Sequence, residues 1–178
     1  MTETKELFVC LITGPAGAGK SSVTKALAAK YERCSVIGVD QIHNMIVSGY
    51  VRQWPWSEEV RLQTTLGAKN VCDLASNFMG AGFNVFIDGV VGEKLFNQYA
   101  ESLAGKKFKA FLLLPSLEVV LKRFDEREVD PPLRERIYEL HEKYTKLKGQ
   151  LNWQVIDSTN QTLHQTVEQI YSEMVSQS

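Results

Sequence analysis

An eight-residue stretch near the start of the chain has the residue types and spacing of a phosphate-binding loop. It fits the pattern G-x-x-x-x-G-K-[ST] and consists of Gly14, Pro15, Ala16, Gly17, Ala18, Gly19, Lys20 and Ser21. Its glycines let successive backbone N–H groups turn inward and hold an anion at the start of the following helix, which begins at Ser22. We expect Lys20 to reach the β- and γ-phosphates of a nucleoside triphosphate and Ser21 to bind Mg²⁺, with Ser22 in the same phosphate-binding set. The structural alternative is a glycine-rich turn without a ligand.

The dinucleotide-binding fingerprint G-x-G-x-x-G competes with this interpretation. Gly17 and Gly19 fit its first two positions, but Ser22 stands where the third glycine is required. The adjacent pair Lys20-Ser21 therefore favours a nucleoside triphosphate.

Two aspartates directly follow short apolar runs of the kind that form buried strands. Asp40 comes after residues 36–39 and Asp88 after residues 84–87. In a parallel sheet both carboxylates emerge at the edge that carries the phosphate loop. We expect Asp40 to accept the proton of an acceptor hydroxyl, and Asp88 to hold Mg²⁺ through water. Each aspartate could instead be a helix N-cap.

Length and composition restrict the class of protein. The chain has 178 residues, 44% of them hydrophobic, and a net charge of -1, which predicts one globular domain over residues 1–178. Its apolar runs are too short to span a membrane and it begins without a secretory signal, so we expect a cytoplasmic protein. The near-neutral charge argues against nucleic acid as a partner. Three cysteines without metal-ligand spacing predict buried thiols.

Short apolar runs alternate with helical periodicity along the chain, which predicts an α/β fold with a mostly parallel sheet and helices on both faces. The predicted strands are 7–13, 35–39, 84–88, 109–114 and 153–156. Helices are predicted at 22–31 and 57–79, around 133–147, and after the capping box formed by Thr162 and Gln165.

The sequence resembles the small P-loop kinases of the nucleoside-monophosphate-kinase-like group over nearly its whole length. The likeness rests on the phosphate loop, on Phe86-Ile87-Asp88-Gly89 and on the segment 155–159. Within the group, residues 38–40 and 81–88 look most like chloramphenicol phosphotransferases and gluconate- or shikimate-kinase-like bacterial proteins. The resemblance implies a three-layer α/β/α fold with a five-stranded parallel sheet in the order 2-3-1-4-5. It also implies a base at Asp40 and an adenine-contacting loop formed by Asp157, Ser158 and Thr159.

The same resemblance implies a short helical lid at about residues 123–136, where prolines separate two helical segments. Lid arginines close on the phosphates, and we expect Arg123 and Arg127 to do so because their i, i+4 spacing puts them on one helix face. A solvated helix face of mixed charge would explain many of the same residues.

The segment between Asp40 and the long helix is rich in aromatic residues with polar tips. We expect His43, Arg52, Trp54 and Trp56 to contact the acceptor. Asp40 and His43 also resemble the Asp-x-x-His of gluconate kinases. A structural position for His43, and core-covering positions for the tryptophans, are the alternatives.

These features together predict a phosphotransferase that uses ATP and Mg²⁺ and moves the γ-phosphate to a hydroxyl of a small molecule such as a sugar acid or an antibiotic. The alternatives are a nucleotide-binding regulatory NTPase and a nucleic-acid end kinase. The chain contains no Asn-Lys-x-Asp segment of the kind that reads guanine in G-proteins.

Overall fold

A central sheet of five parallel strands organises the computed structural model, which describes residues 6–126 and 131–176. The strands are β1 (Phe8–Thr13), β2 (Cys34–Gly38), β3 (Asn84–Asp88), β4 (Lys107–Leu113) and β5 (Gln154–Ile156). Their order across the sheet is β2-β3-β1-β4-β5, as predicted.

Seven helices within the described residues connect and cover the strands. They are α1 (Lys20–Ala28), α2 (Val39–His43), α3 (Glu58–Gly80), α4 (Glu93–Ser102), α5 (Leu117–Asp125), α6 (Pro131–Leu147) and α7 (Leu163–Val175). The long helix α3 begins where the Ser57 side chain accepts a hydrogen bond from the Val60 N–H. The predicted capping box of Thr162 and Gln165 is present at the start of α7.

Hydrophobic side chains cover both faces of the sheet, which explains why β1 is apolar from Phe8 to Ile12. Val9 and Leu11 pack into one cluster with residues of α3, α4 and α6. The alternate residues of β1, including Cys10 and Ile12, pack into a second cluster with residues of α1 and α7. Successive side chains of a strand point to opposite faces, so a strand between two helical layers needs apolar residues at every position. The predicted three-layer α/β/α architecture is confirmed.

Several predicted boundaries were wrong by a few residues. Helix α1 begins at Lys20, because the phosphate loop ends in a left-handed Gly19 from which the helix starts directly. Strand β2 ends at Gly38, because Val39 already belongs to α2. Strand β4 begins at Lys107, which pairs with Phe8 of β1 and so extends the ladder beyond the apolar run.

The cysteines are all free, but only two are buried. Cys10 and Cys72 lie in the core, whereas Cys34 at the start of the outer strand β2 is only partly covered, which corrects the prediction of three buried thiols. Among the helices that the structure describes, none has both the length and the apolar composition that a membrane span requires.

Candidate nucleotide and acceptor site

The phosphate loop lies between β1 and α1 and has the backbone conformation predicted for it. Gly14, Gly17 and Gly19 adopt positive φ angles of 145°, 83° and 94°. Side chains rarely tolerate this region, so the glycines let the chain curl at three points. The loop ends at the start of α1, where unpaired N–H groups and the helix dipole favour an anion. The Lys20 ammonium donates a hydrogen bond to the Pro15 carbonyl across the loop, 3.0 Å away.

Close packing beneath the loop leaves no room for side chains at two of these glycines. A Cβ at Gly14 would lie 2.3 Å from the Leu113 carbonyl oxygen at the end of β4. A Cβ at Gly17 would lie 2.5 Å from the Val120 carbonyl oxygen in α5. The loop is therefore wedged between the central sheet and the first helix of the predicted lid, while Ser21 and Ser22 are exposed at the start of α1.

The two strand-end aspartates lie at the same edge of the sheet as the loop. In the strand register Asp88 is level with Ile12 of β1 on one side and with Gly38 of β2 on the other. Asp40 follows two residues after Gly38, as the exposed second residue of α2. Neither aspartate caps a helix, since the N-cap residues of α2 and α4 are Gly38 and Gly92. The half-buried Asp88 thus lies between the phosphate loop and Asp40.

Ser21 and Asp88 suit Mg²⁺ by their donor chemistry. Both present oxygen, the donor atom that this cation prefers. Within the described residues no group of three or more His, Cys, Asp or Glu side chains could hold a metal alone. Magnesium in nucleotide sites is usually held by one or two protein oxygens, with phosphates and water supplying the remainder, and this small donor set fits that pattern.

The loop after β5 is held by its own hydrogen bonds. The Asp157 carboxylate accepts from the backbone N–H and the hydroxyl of Thr159, and these bonds lower the pKa of Asp157. The Thr159 hydroxyl oxygen also accepts a bond from the Ser116 N–H at the start of α5, with a distance of 2.8 Å. Ser158 is buried, and its hydroxyl has no partner among the described residues. Thr159 therefore fixes the loop, while Ser158 keeps unused hydrogen-bonding capacity.

The predicted acceptor residues do not share one environment. His43, the last residue of α2, is only 3% exposed, and its ring packs edge-on against Tyr50 with centroids 5.0 Å apart. Its Nε2 atom has no partner in the part of the chain that the structure describes. Arg52 is exposed, Trp54 is half-buried and Trp56 is 61% exposed. His43 is therefore closed to a ligand in this conformation, whereas Arg52 and Trp56 are accessible.

Gln63 of α3, which no motif in the sequence indicates, holds the segment that carries these residues. Its amide nitrogen donates to the Gly49 carbonyl and to a Glu59 carboxylate oxygen, both at 2.7 Å. Its amide oxygen accepts the Val51 N–H at 3.1 Å. The only signal in the sequence was a polar residue on the apolar face of an amphipathic helix. Gln63 fixes the chain on both sides of Tyr50.

The predicted lid begins beside the phosphate loop. Arg123 is half-buried on α5, one turn after Val120, whose carbonyl contacts Gly17. Arg134 of α6 binds both carboxylate oxygens of Asp125 in α5, at 3.2 and 3.3 Å. Arg127 lies outside the described residues, so its predicted function stays a prediction.

The comparison that establishes the family covers most of this structure. A family model described as an AAA domain matches residues 9–147, from β1 to the end of α6. The chain belongs to this family. The matched region of this AAA domain contains the phosphate loop, both strand-end aspartates and the lid segment. No curated protein is significantly similar to the chain in sequence.

Several solved structures share the fold of this AAA domain over nearly its whole length. The Deinococcus radiodurans tunicamycin resistance protein has a TM-score of 0.70 at 17% identity, with 95% of this chain and 96% of that chain covered. A gluconokinase from Sinorhizobium meliloti 1021 has a TM-score of 0.67 at 19% identity, with coverages of 96% and 97%. Shikimate kinase from Bacteroides thetaiotaomicron has a TM-score of 0.70 at 18% identity, with coverages of 94% and 98%. These neighbours share the predicted fold.

Proposed function

We propose that this AAA domain is a phosphotransferase that uses ATP and Mg²⁺ and phosphorylates a hydroxyl of a small molecule. The register that puts Asp88 between the phosphate loop and Asp40 carries the proposal. A phosphate site, an oxygen donor for a cation and an exposed carboxylate then follow one another along a single sheet edge. Phosphoryl transfer to a hydroxyl uses a phosphate cradle, a metal that neutralises phosphate charge and a carboxylate that accepts the hydroxyl proton.

In the proposed reaction the acceptor oxygen forms a bond to the γ-phosphorus while the bond from that phosphorus to the β,γ-bridging oxygen breaks. Asp40 takes the proton of the acceptor hydroxyl, and ADP leaves. Lys20 and the loop N–H groups stabilise charge on the phosphates, and Arg123 and Arg127 add to this from the lid. Mg²⁺, bound by Ser21 and Asp88, would neutralise phosphate charge. Asp157, Ser158 and Thr159 would hold the adenine.

Recognition of the acceptor belongs to the segment that follows Asp40. Arg52, Trp54 and Trp56 offer a cation for an anionic group and apolar area for a ring, and His43 would contribute after movement of Tyr50. The whole chain, residues 1–178, is proposed to act as one kinase domain, with its lid at about residues 123–136.

An ADP-release screen with sugars, sugar acids, nucleosides, aminoglycosides and phenicols tests the proposal. With an acceptor in hand, Lys20→Ala should lower turnover by about 10²- to 10³-fold. Lys25→Ala, which removes an exposed lysine of the same helix, is the matched control and should be unchanged. Asp40→Asn should lower acceptor-dependent turnover by about 10²- to 10⁴-fold and leave nucleotide affinity intact.

Other outcomes would point to the alternative functions. Nucleotide-dependent binding to a protein without acceptor-stimulated ADP release would favour a regulatory NTPase. Salt-dependent binding and phosphorylation of oligonucleotide ends would favour a nucleic-acid end kinase. Full turnover of a true acceptor by Lys20→Ala would refute the proposed use of the phosphate loop.

A further inference from the structure

A buried hydrogen-bonded triangle lies beneath the nucleotide site and joins three elements that are distant in sequence. Its members are Thr13 at the end of β1, Val91 in the loop after β3 and Tyr144 of α6. All three are at most 1% exposed. Thr13 immediately precedes the first glycine of the phosphate loop, and Val91 follows three residues after Asp88.

Every donor of this triangle finds an acceptor within it. The Val91 N–H donates to the Thr13 hydroxyl oxygen at 3.0 Å, and the Tyr144 hydroxyl donates to the Val91 carbonyl at 3.2 Å. The Thr13 hydroxyl lies 3.2 Å from the Tyr144 oxygen, to which it donates in the closed ring. Burial raises the pKa of Tyr144 to about 12, so its proton stays available for donation at neutral pH. Such a closed buried network fixes the positions of its members.

The triangle links the segment after Asp88 to the end of β1, from which the chain enters the phosphate loop. The segment after Asp88 is held on β1 by the Gly89 N–H, which donates to the Ile12 carbonyl at 3.3 Å. Three residues after Asp88, the bonds of Val91 to Thr13 and Tyr144 hold the same segment a second time. Without Tyr144 the Val91 carbonyl loses its best donor, while Thr13 itself stays fixed in the β1 ladder opposite Leu112.

We propose that Tyr144 is a positioning residue that keeps Asp88 at the correct separation from Ser21 for Mg²⁺ by holding Val91 against the fixed Thr13. This inference rests on the proposed function, because it assumes that the site binds a nucleotide with magnesium. The anchor comes from the C-terminal half of α6, the helix whose first turn carries Arg134 of the predicted lid. The Tyr144 hydroxyl bonds to Thr13 and Val91, so it acts on Asp88 through the backbone of the segment that follows this aspartate.

Binding of the non-hydrolysable ATP analogue AMPPNP, measured by calorimetry with EDTA and again with Mg²⁺, tests the inference. Tyr144→Phe should bind the metal-free analogue within about twofold of wild type. The factor by which magnesium increases the affinity should be about 3- to 10-fold smaller than in wild type, which is the scale of one buried hydrogen bond. Tyr99→Phe is the matched control, since Tyr99 is equally buried and its hydroxyl has no partner among the described residues. That variant should keep both affinities.

A second pair of variants keeps the test decisive if Tyr144→Phe folds poorly. Thr13→Val should reproduce the loss of magnesium enhancement, and Thr13→Ser, which keeps the hydroxyl, should restore it. An unchanged enhancement in both Tyr144→Phe and Thr13→Val, or an equal loss of metal-free and magnesium-dependent affinity, would overturn the inference alone. A wild-type protein that binds no AMPPNP in either condition would overturn the proposed function as well.

Discussion

Gly89 is the position where one added methyl group should disturb the candidate site most directly. A Cβ built there lies 2.6 Å from the Cβ of Val39 and 2.5 Å from its Cγ2. Carbon atoms pack at about 3.5–4.0 Å, so the segments that carry Gly89 and Val39 must separate by about 1 Å. Rotation of the Val39 side chain does not relieve the contact with its Cβ. Gly89 directly follows Asp88 and Val39 directly precedes Asp40, so this separation moves both carboxylates apart.

The free energy of unfolding should fall by about 2 kcal/mol in Gly89→Ala, because overpacking of a buried contact costs about 1–3 kcal/mol. This corresponds to a decrease in Tm of about 4–8 °C for a chain of this size. Urea denaturation followed by circular dichroism measures the change. The control is Gly67→Ala in α3, where a new Cβ meets no atom within 4 Å. Alanine should stabilise that helix by about 0.5–1 kcal/mol.

The change in the free energy of unfolding should therefore have opposite signs in the two alanine variants. An unfolding free energy of Gly89→Ala within about 0.5 kcal/mol of wild type, the range of ordinary surface changes, would refute the steric reasoning. Gly89→Ala should also lower the magnesium-dependent affinity for AMPPNP, because it displaces Asp88. Replacing Val39 by glycine in the Gly89→Ala background removes the opposing Cβ and should restore that affinity, even though it adds backbone entropy to the unfolded chain. Affinity that stays low in this double variant would contradict the contact as the cause.

Three further variants test other parts of the structure. Gln63→Leu leaves the Gly49 carbonyl and the Val51 N–H without their partner, so the free energy of unfolding should fall by about 1–3 kcal/mol. The loosened segment should also show stronger acrylamide quenching of its tryptophan fluorescence. Unchanged quenching would contradict the proposal that Gln63 holds this segment. Tyr99→Phe removes a buried hydroxyl without a partner in the described chain and should leave Tm unchanged or raise it; a clear decrease would indicate a bond to that hydroxyl. Asp157→Asn should lose stability at neutral pH. The folded pKa of Asp157 lies below its usual 3.8, so its contribution to the free energy of unfolding is complete above pH 3.8 and disappears as the pH falls through the folded pKa. The free energies of unfolding of the two proteins should therefore converge in acid.

Local pattern was sufficient for the parts of the site that are contiguous in sequence. The phosphate loop needs glycines at the points of positive φ and a lysine and serine at the following helix start, and all of these lie within eight residues. Asp40 and Asp88 were predicted at one edge because parallel strands end at the same side of a sheet. The sheet order followed from the family resemblance, since alternation of strands and helices alone does not fix which strands are neighbours.

Contacts between distant residues could not be predicted in this way. Tyr144 belongs to the apolar stripe of α6, which predicts a core position and says nothing of its hydroxyl. The partners of that hydroxyl lie 53 and 131 residues away in the chain. His43 likewise has the residue type of a ligand contact, but its ring is buried and packs edge-on against Tyr50, and Gln63 holds the two neighbours of Tyr50 in place.

Residue types and their spacing were enough to predict a phosphate loop, two strand-end carboxylates and an aromatic segment that follows the first of them. The register and accessibility of these groups came from the packing of distant segments. It put Asp88 level with Ile12 and Gly38, buried His43 while leaving Trp56 exposed, and tied the loop after β3 to α6 through Tyr144. The physical reason is that residue type and spacing set local conformation, whereas burial and hydrogen-bond partners depend on which distant segments pack against each other.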